Sequence, residues 1–158
     1  MTLMMKLNTL SNLFQTLIIL TACLGLAFLL FVSPELSSFF NIQKYNTWLQ
    51  LFFWITAIPV YYILFSLWRL STDFKQERLF TAETKKRLKI IAYAGIGESI
   101  FYAFSLTCGI IFFKINLPFL ILSGLFFFIG IIIAIIAALL FYLFDAAEQL
   151  QQDNDLTI

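Results

Sequence analysis

Four long stretches of this chain carry almost no charge: 13–32, 45–68, 90–113 and 115–144, interrupted only by Glu98. A helix rises about 1.5 Å per residue, so about 20 apolar residues cover the roughly 30 Å hydrocarbon core of a bilayer. In a chain of 158 residues, such runs leave little material for a polar shell. Charged residues are only 12% of the chain, against about 25% in a typical soluble domain. The implied solvent for most side chains is therefore lipid. The reading is an all-α integral membrane protein with four transmembrane helices in a bundle. It forms one domain with approximate spans 13–32, 47–68, 88–113 and 117–144.

Local signals mark the ends of the runs. The string Leu20-Thr21-Ala22-Cys23 has the form of a lipobox. However, the apolar run continues well past the cysteine to Val32, whereas a signal core is only about 7–15 residues. A retained first helix is the expectation. Pro34 follows its end, since a residue before proline disfavours the helical region. Tyr45, Trp48 and Trp68 stand near the ends of the second run, where amphipathic rings favour the membrane interface. Pro59 inside that run predicts a kink near 55–59. Thr81 reads as an N-cap for the third helix, with Glu83 in its first turn near the positive end of the helix dipole. The fourth run is longer than a bilayer core requires, so its helix tilts, protrudes or starts late. Gly130, Ala134 and Ala138 give it a small-residue face for close helix contact, and a homo-oligomer is compatible with the sequence. The polar lead 1–12 and the acidic tail 145–158 complete the chain.

Basic residues set the orientation. Seven of the ten Lys and Arg residues lie within 69–89: Arg69, Lys75, Arg78, Lys85, Lys86, Arg87 and Lys89. Cytoplasmic loops carry this excess. Loop 69–87 is thus placed on the cytoplasmic side, and with four spans both termini join it. The expected location is the inner (cytoplasmic) membrane of a bacterium, as a multi-pass protein.

Glu98 is the sharpest isolated signal. A carboxylate within a span is costly and faces a partner or water. Gly95, Glu98, Tyr102, Ser105 and Gly109 recur at helical spacing, so they share one face that should turn inward. By depth alone, Tyr61 or Tyr62 on the second helix, and Thr21 or Gln15 on the first, are candidate neighbours. A structural carboxyl would be protonated and hydrogen-bonded, and would fix helix packing. A functional one would relay protons or ions, or anchor a ligand. The collar of Lys85, Lys86, Arg87 and Lys89 could anchor topology or meet a protein or an anionic lipid headgroup.

Enzymatic parts are missing from the sequence. The chain has no histidine, and Cys23 and Cys108 both lie within apolar runs. No phosphate-binding loop, paired catalytic carboxylates or metal-ligand cluster is present. A non-enzymatic protein without a cofactor is expected. Its contacts are with the bilayer and not with nucleic acid.

Two motifs add a resemblance. Leu79-Phe80-Thr81-Ala82-Glu83-Thr84, followed by Arg87-Leu88 and Ile91, resembles the "pFT-x-EN … RL-x-x-I" segment of a bacterial membrane family. The closing Asp153-Asn154-Asp155-Leu156-Thr157-Ile158 resembles its terminal "E-x-DLTI". The family is catalogued as domain of unknown function 2975. It has no established activity. Its members are often encoded beside a small helix-turn-helix regulator. The resemblance thus implies a membrane regulator that binds such a cytosolic transcription factor. Phe80, Thr81, Glu83 and Arg87 of the loop would form the contact surface with Asp155, Leu156, Thr157 and Ile158 of the tail. The other reading is a small transporter, or a membrane-stress or immunity protein, working through Glu98 with Tyr102, Tyr61 and Tyr62.

Overall fold

The computed structural model describes residues 2–39, 46–75, 81–113 and 117–155. All its elements are helical: α1 (Thr2–Ala27), a π-helical segment (Phe28–Val32), a short α2 (Leu36–Phe39), α3 (Asn46–Lys75), α4 (Ala82–Cys108), a second π-helical segment (Gly109–Phe113) and α5 (Leu117–Asp155). Four helices among the described residues are long and apolar enough to cross a membrane.

Helix α4 starts where its cap dictates. Thr81 has an extended backbone, and its hydroxyl accepts the amide of Thr84 at 3.3 Å. This satisfies one of the amides that a helix start leaves without a partner. The π segment after α1 closes with Ser33 donating its amide to Phe28 O at 2.9 Å, five residues back. The buried Ser33 hydroxyl then donates to Leu29 O at 2.9 Å. Both π segments lie at the C-terminal ends of up-running helices, at the end of the molecule away from Lys75 and Thr81.

The helices outrun the apolar stretches at the polar end. α1 begins at Thr2, α3 continues to Lys75, and α5 continues to Asp155. The extension of α5 has a local cause. Ala146, Ala147, Glu148, Gln149, Leu150, Gln151 and Gln152 are good helix formers, uninterrupted by glycine or proline. With its start at Leu117, the 39-residue α5 is about 58 Å long at 1.5 Å per residue. It therefore protrudes past its apolar section at the polar end. Pro59 lies inside α3 without ending it.

Antiparallel neighbours are α1 with α3, α3 with α4, and α4 with α5, and the last pair has the most extensive contact. That contact is close because its central residues are small. A Cβ on Gly95 would stand 2.8 Å from Gly130 O, and one on Gly130 would collide with Ser99 Oγ. Ala134 and Ala137 continue this face and are buried, whereas Ala138 is half-buried. The expected small-residue face is thus rotated slightly toward Ala137. Ile63 of α3, Ile91 of α4 and Ala137 of α5 pack together nearer the polar end. At the other end Leu29, Leu49, Phe53 and Phe119 form a second cluster.

Polarity is distributed opposite to that of a soluble protein. Ser11, Thr56, Ser66, Ser71, Thr84, Glu98, Ser99 and Ser123 are buried. Leu17, Leu24, Phe31, Ile58, Phe65, Ile100, Phe104, Ile121, Ile132 and Leu139 are exposed. So large an apolar exterior marks a surface made for another apolar phase. Some of these buried hydroxyls bond across helices, which is how polar side chains join helices in lipid. Ser11 and Ser71 exchange such bonds between α1 and α3, with hydroxyls 2.7 Å apart and each reaching the other's carbonyl at 2.8 and 3.2 Å.

Candidate functional site

The inward face of α4 is a single stripe. Thr84, Leu88, Ile91, Gly95, Glu98, Ser99 and Tyr102 are all buried on it. Gly109 is buried too, and Ser105 is half-buried. Spacing at three and four residues makes these positions one face, and the small residues of α5 let that face approach closely. The Ser99 hydroxyl lies 2.9 Å from Gly95 O and 3.1 Å from Phe127 O, which ties α4 to α5.

Glu98 is only 8% exposed, and its Oε1 is buried with no hydrogen-bond partner among the described residues. One turn further on, Tyr102 is 3% exposed. Its ring stacks on Phe126 of α5 at 5.3 Å and meets Phe52 of α3 edge-on at 5.6 Å. The side chain of Thr56 on α3, whose hydroxyl donates to Phe53 O at 3.1 Å, lies beside the Tyr102 hydroxyl. Aromatic walls on both sides thus confine a polar group of Glu98, Tyr102 and Thr56.

The tyrosines expected beside Glu98 are elsewhere. Tyr61 donates its hydroxyl to Ala22 O of α1 at 2.9 Å, passing Gly25, where a Cβ would stand 3.1 Å from the Tyr61 hydroxyl oxygen. Tyr62 is 49% exposed on the outer surface. Thr21 bonds Leu17 O of its own helix, and Gln15 accepts from Lys75 Nζ at 2.9 Å at the polar end. Depth along a helix fixes height but not rotation. α3 lies between α1 and α4, and Tyr61 is on its α1 side. Thr56, a residue that depth counting passed over, is the α3 side chain that stands beside Tyr102.

A second polar cluster closes the other end of the same stripe. Arg87 pairs with Asp73 of α3 and with Glu83 at 3.1 Å. Asp73 also accepts from the hydroxyl of the fully buried Thr84 at 3.2 Å. Lys85 reaches α5, at 2.8 Å from Asp145 and 2.5 Å from Glu148. Of the four collar cations, Lys85 and Arg87 are therefore turned inward to carboxylates, and Lys86 and Lys89 are exposed.

The residues of the expected partner surface have separate positions. Thr81 is the cap of α4, Arg87 is held by Asp73, and the Glu83 side chain is 80% exposed. Asp155 is the last residue of α5. Phe80, Leu156, Thr157 and Ile158 lie outside the described residues. Asp73, Asp145 and Glu148 were not singled out from the sequence, although opposite charges at one end of adjacent antiparallel helices were a usable signal.

Thr81, Thr84, Leu88 and Ile91 have structural duties at this end, which gives a physical basis for the motif that contains them. A family described as "Protein of unknown function (DUF2975)" matches residues 4–158, and the chain belongs to it. It is also similar to the "Uncharacterized membrane protein YoaS" of Bacillus subtilis (strain 168). The two are 29% identical over 140 residues, covering 84% of this chain and 88% of that protein. No solved structure matches the fold.

Proposed function

We propose that this is a non-enzymatic, multi-pass protein of the bacterial cytoplasmic membrane. Its four helices form a bundle, both termini are cytoplasmic, and its polar end docks a small helix-turn-helix DNA-binding regulator. The basic segment supports the orientation, because seven of ten cations lie within 69–89. The observation that carries the docking reading is the pairing of Lys85 with Asp145 and Glu148. It joins the start of α4, where the first family motif lies, to the section of α5 that leads toward the second. The partner class rests on the family resemblance.

Photo-crosslinking groups placed at Glu83 and Gln149, both exposed, test this in whole cells. A DNA-binding regulator crosslinked at both positions is expected. It should be lost when 153–158 is deleted while the membrane protein still accumulates. No such product at either position, or capture undiminished by the deletion, overturns the reading.

One observation favours a second reading. Glu98 keeps a buried oxygen without a partner among the described residues, where a purely structural carboxyl would be fully bonded. In this reading Glu98 is the working carboxyl of a small transporter. Glu98→Gln retains hydrogen bonding but removes titration, so undiminished proton or ion flux from the variant in vesicles would end it.

A further inference from the structure

We propose that the outward face of α4 is a binding site for one anionic phospholipid. Lys86 and Lys89 would hold the headgroup phosphate, and the apolar stripe beyond them would hold an acyl chain. The collar's four cations divide into two pairs with different fates. Lys85 and Arg87 are occupied by Asp145, Glu148, Asp73 and Glu83. Lys86 and Lys89 are exposed and have no ion pair among the described residues. Glu83, the acid one turn before Lys86, is already engaged by Arg87 at 3.1 Å.

Helical spacing places Lys86, Lys89, Tyr93, Gly97, Ile100 and Phe104 along one stripe, and all are exposed. The two lysines are three residues apart, about 4.5 Å of backbone rise, so their long side chains can both reach a single phosphate. Tyr93 follows at the depth where an amphipathic ring suits the interface. Gly97 then leaves a notch, since nothing lies within 4 Å of where its Cβ would be. Beyond the notch Ile100 and Phe104 are apolar to the end of the stripe. Two unneutralised cations at the head of an apolar face match an anionic lipid in charge and in shape. The inference rests on α4 spanning a membrane and is independent of any docked regulator.

The test uses the full chain in nanodiscs of phosphatidylethanolamine containing a photoactivatable phosphatidylglycerol. Its crosslinks should map to residues 93–104. Lys86→Gln/Lys89→Gln should weaken binding about 30-fold, given about 1 kcal/mol per cation near an anionic surface. Arg69→Gln/Lys75→Gln, with the same charge loss away from the stripe, should change it less than about threefold. Unlabelled phosphatidylglycerol should compete, and phosphatidylcholine and millimolar inorganic phosphate should not. Equal labelling of the Lys86/Lys89 variant, an equal fall in the control variant, or displacement by inorganic phosphate would overturn the proposal.

Discussion

Lys85 of α4 stands 2.8 Å from Asp145 of α5, and the same ammonium reaches Glu148 one turn further along α5. A cation at 85 thus grips a helix 60 residues away in sequence, at the point where α5 leaves its apolar section. One donor shared by two carboxylates predicts an asymmetric response. Asp145→Asn or Glu148→Gln alone should change little, because the other acid remains. Lys85→Gln should release both acids. Hydrogen exchange should then accelerate at 143–150 and stay unchanged across 91–102. Equal effects from all three variants would contradict a shared grip.

Asp73 serves two groups, Arg87 and the buried hydroxyl of Thr84. Asp73→Ala removes the carboxylate that ties both Arg87 and Thr84 of α4 to α3, a loss of about 1–3 kcal/mol. Thermal unfolding in detergent should show a lower Tm. Thr84→Val alone should lower it less, since Asp73 then keeps Arg87.

The α4–α5 contact should tolerate no added volume. Gly130→Ala places a methyl against Ser99 Oγ and Gly95 O. The expected destabilisation is about 1–3 kcal/mol, as for overpacked cores. Gly97→Ala, on the same helix as Gly95 but facing open space, should stay within about 0.5 kcal/mol of the parent. Thermal unfolding of the two variants side by side checks this.

Glu98 can be weighed by a substitution that fills its volume without its charge. An orphaned buried oxygen costs stability, and an apolar side chain of similar size removes that cost. Glu98→Met should therefore raise the Tm. A lower Tm would mean that the carboxyl supports packing.

Much of this architecture was legible in the chain, for identifiable reasons. Uncharged runs longer than 20 residues report the solvent directly, so the four long helices were readable from them. Thr81 was readable as a cap because its oxygen and the third amide of the helix are linked by local geometry alone. The inward turn of Glu98 and Tyr102 followed from spacing along one helix. Partners across helices were not accessible in the same way. Tyr61 has the right height for Glu98 but points to Ala22, because rotation about α3 depends on which helices flank it. The helix ends were underestimated for a related reason. Hydropathy marks where lipid stops, and α5 continues beyond it on helix propensity and the grip of Lys85.

Side-specific cysteine labelling tests the proposed topology most directly. With Cys23 and Cys108 replaced by serine, single cysteines are placed at Glu35, Lys86 and Gln149, all exposed. A membrane-impermeant maleimide applied to intact spheroplasts should label position 35 and spare 86 and 149 until the cells are lysed. Labelling of 86 from outside, or protection of 86 but not 149, would contradict a polar end in which the basic segment and the end of α5 meet on the cytoplasmic side.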